Sequence, residues 1–355
     1  MLFINLKTPI KTEKVKQVIN KQWITNFFSQ RVRQYWPNSK LIDVNLEIVR
    51  NFRGKFRNLA LKYILTIYQA GKLKKKIIRG RIDCLHQCPL IHYQTLIYLR
   101  QHSFNRSITR PLLYYQPLNF LLYEDLAGIP LQNLLEKRRQ LNVLLETTPA
   151  IIKWLKKLHS LPIKKNNIWR QHNLNYEKDE RRHWLFLFRK CAPSFHQRAK
   201  EILNSLWKIR KDDSFLSSKD FSLIHSDFHW GNIIVQTSKK IGIIDLADAS
   251  LGDQLEDIAK LIVQTESMFS YYAPKRQVLR DKIIKQILTN YFFSTKPRSS
   301  QLIRLYYFMT LNYLQMAAIQ SLVETNKEYR EKSIITLLTK AEEKLRELKK
   351  LFIIK

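Results

Sequence analysis

Hydrophobic residues follow two different patterns along this 355-residue chain. Between residues 41 and 83, three short runs rich in Val, Ile, Leu and Tyr alternate with the turn-like stretches NFRGKFRN and QAGKLKK, which predicts three consecutive antiparallel strands. Beyond Gly128 the apolar residues are mostly spaced as in helices, except in residues 221–248, where short strands surround a loop. A strand-rich first third followed by a helical remainder is typical of an α+β protein with two lobes.

The remaining elements divide the chain into two predicted domains. Residues 12–36 predict an amphipathic helix, and residues 110–123 predict two further short strands. The N-terminal lobe is then residues 1–123, and the helical C-terminal lobe is residues 124–355. Helices of the second lobe are expected at 130–146, 147–161, 180–210 and 254–268, and in several segments between 274 and 352.

Composition excludes several classes of protein. Hydrophobic residues make up 45% of the chain, which is enough apolar material for a packed core. Seven glycines leave no room for a repeated glycine-rich phosphate loop, and three cysteines are too few for a disulfide framework. The N-terminal residues lack the apolar core of a secretion signal, and no run of about 18 uncharged apolar residues occurs, so a cytoplasmic protein is expected.

Charge is distributed unevenly along the chain. The formal net charge is +33, and residues 1–122 carry 22 Lys and Arg against four acids. Residues 220–257 reverse the sign, with seven acids against Lys239 and Lys240. An acidic segment within so basic a chain requires a local explanation.

The order of polar residues in this acidic segment suggests phosphoryl-transfer chemistry. Asp227 lies in a loop after a short apolar strand, and Asn232 follows five residues later. Asp245 ends the next apolar strand, so we expect Asn232 and Asp245 to meet across a hairpin as oxygen ligands suited to Mg²⁺. Asp227 is then left to accept a hydroxyl proton. A base, an Asn and an Asp in this order are the parts of a kinase catalytic site.

Four segments resemble one known superfamily. Residues 225–232 (HSDFHWGN) and 244–253 (IDLADASLGD) resemble the paired signature of the aminoglycoside phosphotransferase and choline kinase superfamily. Residues 121–131 resemble the hinge between the lobes of its members, and residues 154–161 resemble the helix beneath their catalytic loop. The resemblance extends over about residues 40–265 in consistent order.

This resemblance implies a fold, an activity and a set of site residues. The fold is protein-kinase-like, with a small antiparallel-sheet N-lobe and a larger, mainly helical C-lobe, and the activity is ATP-dependent phosphotransfer with Mg²⁺. The residues implicated are Asp227 as catalytic base, Asn232 and Asp245 as Mg²⁺ ligands, Arg81, Glu124 and Leu126 at the nucleotide, and His225, Asp253 and Asp257 as supports of the site. From the residues alone, Asp253 and Asp257 are expected to be caps or ion-pair partners rather than catalytic groups.

The sequence departs from the superfamily at the phosphate clamp. Its members place a Lys on the third strand and a Glu on the following helix. Here the strand offers Arg79 or Arg81, of which Arg81 aligns best, and the helix offers His92 or Gln94. Arg keeps the charge but changes the geometry of phosphate binding. Two interpretations follow, a working kinase with a rebuilt clamp or a pseudokinase, and the intact Asp227, Asn232 and Asp245 favour the first. Ser226 also replaces the common Gly before the catalytic Asp.

Net charge restricts the partners. A chain of charge +33 opposes the approach of a polycation, so we expect a neutral or anionic hydroxylated acceptor such as a sugar or a lipid headgroup. Lysines 72, 74, 75 and 76 suit either peripheral contact with an anionic membrane or a solvated surface. A nucleic-acid-binding module using residues 50–57 and 72–81 is the competing hypothesis, but it leaves the acidic segment unexplained. A kinase-like scaffold that does not use ATP is the third.

Overall fold

The computed structural model describes most of the chain. The described residues are 10–51, 58–84, 86–136, 140–163, 168–172, 174–211, 221–237, 239–292, 298–322 and 326–353. They form two compact units, one made of the described residues up to Gly128 with Gly242–Asp248, the other of those between Ile129 and Ile241 and those from Ala249 onward. The predicted division between residues 123 and 124 stays a prediction, although Gly242–Asp248, expected in the second lobe, groups with the first unit.

The first unit contains a five-stranded antiparallel sheet. The three strands predicted between residues 41 and 83 and the two predicted between 110 and 123 are confirmed, in the spatial order β1-β2-β3-β5-β4. Their bounds are β1 Ser39–Asn51, β2 Asn58–Gln69, β3 Lys72–Asp83, β4 Pro111–Tyr115 and β5 Phe120–Glu124. Burial alternates strictly along β2, because successive side chains of a strand point to opposite faces.

Helices of this unit pack on the buried face of the sheet and beside it. Two of them, α1 Thr12–Val15 and α2 Lys21–Tyr35, lie within the predicted helix over residues 12–36, and α3 is Cys88–Gln101. That single predicted helix is divided because Asn20 is extended and its side chain accepts a hydrogen bond from the Trp23 N–H at 3.0 Å, which starts α2 anew. Tyr63 of β2 packs edge-on against Phe28 of α2.

The second unit is mainly helical, with short strands around the acidic segment. Its helices are α4 Leu131–Glu136, α5 Asn142–His159, α6 Leu174–Cys191, α7 His196–Arg210, α8 Leu255–Tyr272, α9 Gln277–Phe292, α10 Ser299–Gln320 and α11 Lys327–Ile353. The strands are β6 Ile129–Pro130, β7 Ser222–Ile224, β8 Ile233–Thr237, β9 Lys240–Ile243 and β10 Ser250–Gly252. They form the sheets β6-β8-β9 and β10-β7, and the unit boundary falls within β9.

Two predicted helix boundaries in this unit were wrong. No boundary falls between residues 146 and 147, because α5 continues through Pro149 and buries an apolar stripe that includes Ile152 and Leu155. The predicted helix at 180–210 is instead two helices, because the chain turns at Pro193, which ends α6 and begins a short 3-10 turn before α7. Among the described residues, no helix combines the length and the apolar run needed to cross a bilayer.

Gly80 lets the buried face of β3 approach its neighbours closely. A Cβ atom at this position would lie 2.8 Å from Phe120 Cε2 and 3.0 Å from Tyr63 Cε2. We expect Gly80→Val to lower the free energy of unfolding by about 2–3 kcal/mol, because the added carbons overpack a dense core. Urea unfolding measures the change. Gly71→Asn is the control, since the turn at Gly71 is open and Asn tolerates its positive φ of 76°. Equal effects of the two substitutions would contradict the packing argument.

Candidate active site

The loop that carries Asp227 joins two short strands of the second unit. Strand β7 leads into His225, Ser226 and Asp227, and a 3-10 turn, Trp230–Asn232, leads into β8. Strand β10 pairs with β7 and places Ser250 opposite Ile224. Ser226 has a φ of 65°, a conformation that costs a residue with a Cβ about 1 kcal/mol. The position at which Ser replaces the superfamily's Gly is therefore one that favours Gly.

Asp257 of α8 fixes this loop by accepting hydrogen bonds from two of its backbone N–H groups. One carboxylate oxygen accepts the His225 N–H at 2.8 Å and the other accepts the Ser226 N–H at 3.0 Å. His159 of α5 contacts the first oxygen at 3.1 Å, and Asp257 is fully buried. Burial alone would raise the pKa of Asp257, but the hydrogen bond and charge of His159 lower it below the ordinary value. A buried carboxylate thus fixes two successive peptide groups.

Asp227 is paired with a lysine that sequence reasoning missed. Lys260 of α8 donates to Asp227 Oδ1 at 3.0 Å and to the Ser226 carbonyl at 2.9 Å, while His229 Nε2 lies 3.5 Å from Asp227 Oδ2. Burial raises the pKa of Asp227, but Lys260 and His229 lower it more, so that it lies well below its ordinary value. The same contact keeps the pKa of the buried Lys260 above its ordinary value. Asp227 is therefore ionised at neutral pH.

Asn232 lies beside Asp227 with its amide oriented by the loop. Its Nδ2 donates to the Asp227 carbonyl at 2.9 Å, and its backbone N–H donates to the His229 carbonyl at 2.9 Å. The side-chain oxygen Oδ1 is left as an acceptor. His225, predicted to support the loop, is fully buried; its Nδ1 accepts the Asp227 N–H at 3.3 Å and its ring packs edge-on against Phe228.

A chain of buried polar groups secures Ser226 in its unusual conformation. The Ser226 hydroxyl contacts the Ser250 hydroxyl, which lies 2.9 Å from His172 Nε2. His172 Nδ1 in turn lies 2.9 Å from Glu256 Oε2. Burial lowers the pKa of His172, but Glu256 raises it more, with a smaller contribution from Glu180, so that the pKa lies above its ordinary value. The hydroxyl that distinguishes Ser226 from Gly is therefore tied to an ion pair.

Asp253 supports the start of α8. Its Oδ1 accepts the Leu255 N–H at 2.9 Å, and its Oδ2 accepts a hydrogen bond from Arg304 of α10 at 2.8 Å. Burial raises the pKa of Asp253 above its ordinary value although Arg304 opposes the shift. Asp253 therefore connects the first residue of α8 to α10 through an ion pair.

In the first unit, Arg81 and Asp245 contact each other. Arg81 projects from β3, and its Nη1 donates to Asp245 Oδ1. Asp245 follows β9 with a φ of 58°, and its side chain is 43% exposed. Helix α3 contains no acid, and its His92 instead packs against Tyr123. The carboxylate that accompanies the β3 cation here thus comes from the Asp245 segment rather than from α3.

The predicted hinge residues begin with Glu124, the last residue of β5. The Glu124 carboxylate accepts hydrogen bonds from Trp36 at 3.1 Å and lies 3.3 Å from Arg110. Arg79 makes two hydrogen bonds of 3.0 Å to Asp125, whose N–H donates to the Ile77 carbonyl. Within the described part of the chain, the Leu126 N–H makes no hydrogen bond. A backbone donor is therefore available directly after β5.

Comparison with known proteins identifies the family. A family model described as "Phosphotransferase enzyme family" matches residues 61–291. The chain belongs to this family. It is a phosphotransferase, and the resemblance found in the sequence is confirmed. Among curated protein sequences, none matches the chain.

Solved structures similar to this phosphotransferase share its kinase-like fold. An amicoumacin kinase in complex with AMP-PNP, Ca²⁺ and Ami is 15% identical with a TM-score of 0.62, covering 92% of this chain and 96% of that chain. A choline kinase from Cryptosporidium parvum is 14% identical with a TM-score of 0.61, covering 94% and 98%. A mutant aminoglycoside phosphotransferase bound to ADP and hygromycin B is 12% identical with a TM-score of 0.55, covering 90% and 97%. The predicted fold class is thereby confirmed.

The shifted pKa of His172 predicts a pH-dependent stability. Its folded-state pKa lies above the value of about 6.5 in the unfolded chain, so the proton binds more tightly to the folded state. The stability it contributes is complete below about pH 6.5 and is lost as the pH rises through the folded-state pKa. We expect the difference in unfolding free energy between the wild type and His172→Gln to shrink over this range. Glu256→Gln should remove most of the dependence, and a difference that is constant from about pH 5 to pH 8 would contradict it.

Proposed function

We propose that this phosphotransferase moves the γ-phosphoryl group of ATP to a hydroxyl of a small molecule, a sugar or a lipid headgroup. The observation that carries the proposal is Asp227, an ionised carboxylate on a loop whose peptide groups are fixed by Asp257. Membership of the phosphotransferase family supports the reaction class. The geometry of the loop supports the assignment of Asp227 as the group that faces the acceptor.

In the proposed reaction, Asp227 accepts a hydrogen bond from the acceptor hydroxyl and orients its oxygen towards the γ-phosphorus. The bond between that phosphorus and the β-phosphate oxygen breaks, the bond to the acceptor oxygen forms, and the hydroxyl proton passes to Asp227. A carboxylate with a lowered pKa is a weak base, which suits a loose transition state in which the proton moves late. Lys260 offsets the charge of Asp227 and holds it in one rotamer.

Asn232 and Asp245 are the proposed metal ligands. Amide and carboxylate oxygens are hard donors that suit Mg²⁺, and the Asn232 amide is oriented with its oxygen left to accept. When bound, Mg²⁺ would neutralise charge on the ATP phosphates. The remaining ligands are proposed to be phosphate and water oxygens, since Mg²⁺ usually keeps several waters and is held by one or two protein oxygens with substrate phosphates.

Nucleotide contacts are proposed for three residues of the first unit. The Arg81 guanidinium suits phosphate oxygens, since it presents several donors in one plane. Backbone groups from Glu124 to Leu126 are proposed to contact adenine, with the Leu126 N–H, which makes no hydrogen bond to a described residue, as the donor. A net charge of +33 favours a neutral or anionic acceptor over a polycation.

Removing the Asp227 carboxylate tests the transfer step. We expect Asp227→Asn to lower turnover by about 10²–10⁴-fold while nucleotide affinity changes little, because the amide cannot accept the hydroxyl proton. Turnover is measured as ADP release in a screen over sugars, amino alcohols and lipid headgroups. Asp281→Asn, at an exposed carboxylate of α9, is the control. An acceptor turned over equally by the wild type and Asp227→Asn would contradict the assignment.

A second variant tests the rebuilt phosphate clamp. Arg81→Met should weaken ATP binding, measured by calorimetry, by about 10-fold or more, since a charged hydrogen bond contributes about 1.5–3 kcal/mol. Arg106→Met removes the same charge from an exposed position of the same unit and should leave affinity unchanged. Unchanged ATP affinity in Arg81→Met would exclude the clamp. ATP binding by the wild type without turnover of any acceptor would favour the pseudokinase alternative.

A further inference from the structure

The hairpin formed by β2 and β3 carries an uninterrupted positive charge. Residues 58–82 include no acid. Their seven basic residues are Lys62, Lys72, Lys74, Lys75, Lys76, Arg79 and Arg81. We call residues 68–76, where the chain reverses, the basic tip.

Ion pairing along this hairpin stops before the tip. Lys62 pairs with Glu47 at 2.9 Å, Arg79 with Asp125 at 3.0 Å, and Arg81 with Asp245. As far as the structure describes the chain, none of the four lysines of the basic tip pairs with a carboxylate. Lys74 donates to the Gln69 side chain, and Lys76 lies over the Trp36 ring. The positive charge of the tip is therefore not neutralised by any carboxylate of the described residues.

Two large apolar side chains are exposed among these lysines. Leu73 is 65% exposed, more than any other large apolar residue described in this unit, and its cross-strand partner Tyr68 is 48% exposed. Lys40 of β1 stands opposite Tyr68 on its other side. Lys40, Tyr68 and Leu73 thus form a row across β1, β2 and β3 at one end of these strands. Lys72, Lys74 and Lys75 are exposed beside this row.

The shape of the tip is fixed before any partner arrives. Ala70 and Gly71 have φ values of 52° and 76°, as in the two-residue turns that match the twist of a hairpin. The pairing of β2 with β3 runs without a register shift from Gln69 and Lys72 to Asn58 and Asp83. Binding therefore requires little ordering of the backbone.

We propose that the basic tip docks on the surface of an anionic lipid bilayer. Its lysines bind lipid phosphate and carboxylate groups, and each contributes about fivefold to the partition coefficient, equivalent to about 1 kcal/mol. Leu73 and the Tyr68 ring enter the interface, where apolar and amphipathic side chains are favoured. A nucleic acid explains the charge but not Leu73, because a phosphate backbone offers that side chain no apolar environment.

Flotation of the full chain with lipid vesicles tests this proposal. We expect binding to vesicles in which phosphatidylserine replaces about a third of the phosphatidylcholine, little binding to phosphatidylcholine alone, and loss of binding near 1 M salt. Lys74→Gln with Lys75→Gln should weaken partitioning by about 25-fold, and Leu73→Ser by about tenfold. These side chains are exposed, and unchanged melting temperatures would show that the fold is kept.

Matched controls lie on α9. Lys282→Gln with Lys285→Gln removes the same charge from exposed positions, and Val278→Ser removes an apolar side chain that is 85% exposed. The proposal is overturned if phosphatidylserine vesicles do not bind, or if the α9 variants weaken binding as much as the tip variants. It is also overturned, in favour of a nucleic-acid surface, if Leu73→Ser has no effect and random RNA displaces the vesicles. Flotation needs no turnover, so its failure would leave the proposed phosphotransfer intact.

Discussion

The candidate site depends on one buried carboxylate and the two peptide groups that it holds. Asp257 is fully buried and accepts the N–H groups of His225 and Ser226, so the residue before Asp227 keeps a positive φ. Without this carboxylate, two buried donors would lose their partner, at about 1–3 kcal/mol each. Because Asp257 lies in the first turn of α8, the helix that supplies Lys260 also fixes the loop.

Several carboxylates of the acidic segment are each paired with a basic side chain from outside the segment. The sequence suggests a patch of negative charge, but in the structure several of these carboxylates each have a basic partner. The pairs are Asp227 with Lys260, Asp245 with Arg81, Asp253 with Arg304, Glu256 with His172 and Asp257 with His159. For Asp227 and Asp257 the partner outweighs burial and lowers the pKa of the carboxyl, whereas for Asp253 burial outweighs Arg304 and the pKa stays above its ordinary value. Charge matching thus explains how a basic chain tolerates a dense acidic segment.

Structure that depends on neighbouring residues was predicted from the sequence more completely than contacts between distant residues were. The sheet strands were recognisable because β2 alternates strictly and its turn contains Gly71, and both are properties of neighbouring residues. The contact of Lys260 with Asp227 carries no local signal, because a lysine in an amphipathic helix is usually solvated. Its spacing of three residues from Asp257, on one face of α8, was the available clue. His172 lies in a segment without a motif, so only tertiary structure links it to Ser226.

The wrong helix boundaries also reflect tertiary packing that local sequence patterns do not show. The boundary predicted between residues 146 and 147 was wrong because the apolar stripe of α5 outweighs the missing hydrogen bond of Pro149. The single helix predicted over 180–210 was wrong because the chain turns at Pro193. The partner of Arg81 is separated from it by 164 residues and could not be inferred from strand or helix pattern alone. Helix ends and ion pairs of this kind depend on packing and charge pairing between distant residues, which a single sequence does not reveal.

The strand-rich unit is built from two separate stretches of chain, and this has a consequence for synthesis on the ribosome. Gly242–Asp248 belongs to that unit but is made only after the 113 residues that follow Gly128. At a synthesis rate of about 5–20 residues per second, roughly 10 s pass between completion of the sheet strands and synthesis of the segment that contains Asp245, the partner of Arg81. During that interval the Arg81 guanidinium has no Asp245 carboxylate beside it. The nascent sheet therefore carries positive charge that the acidic segment neutralises in part only after it has been synthesised.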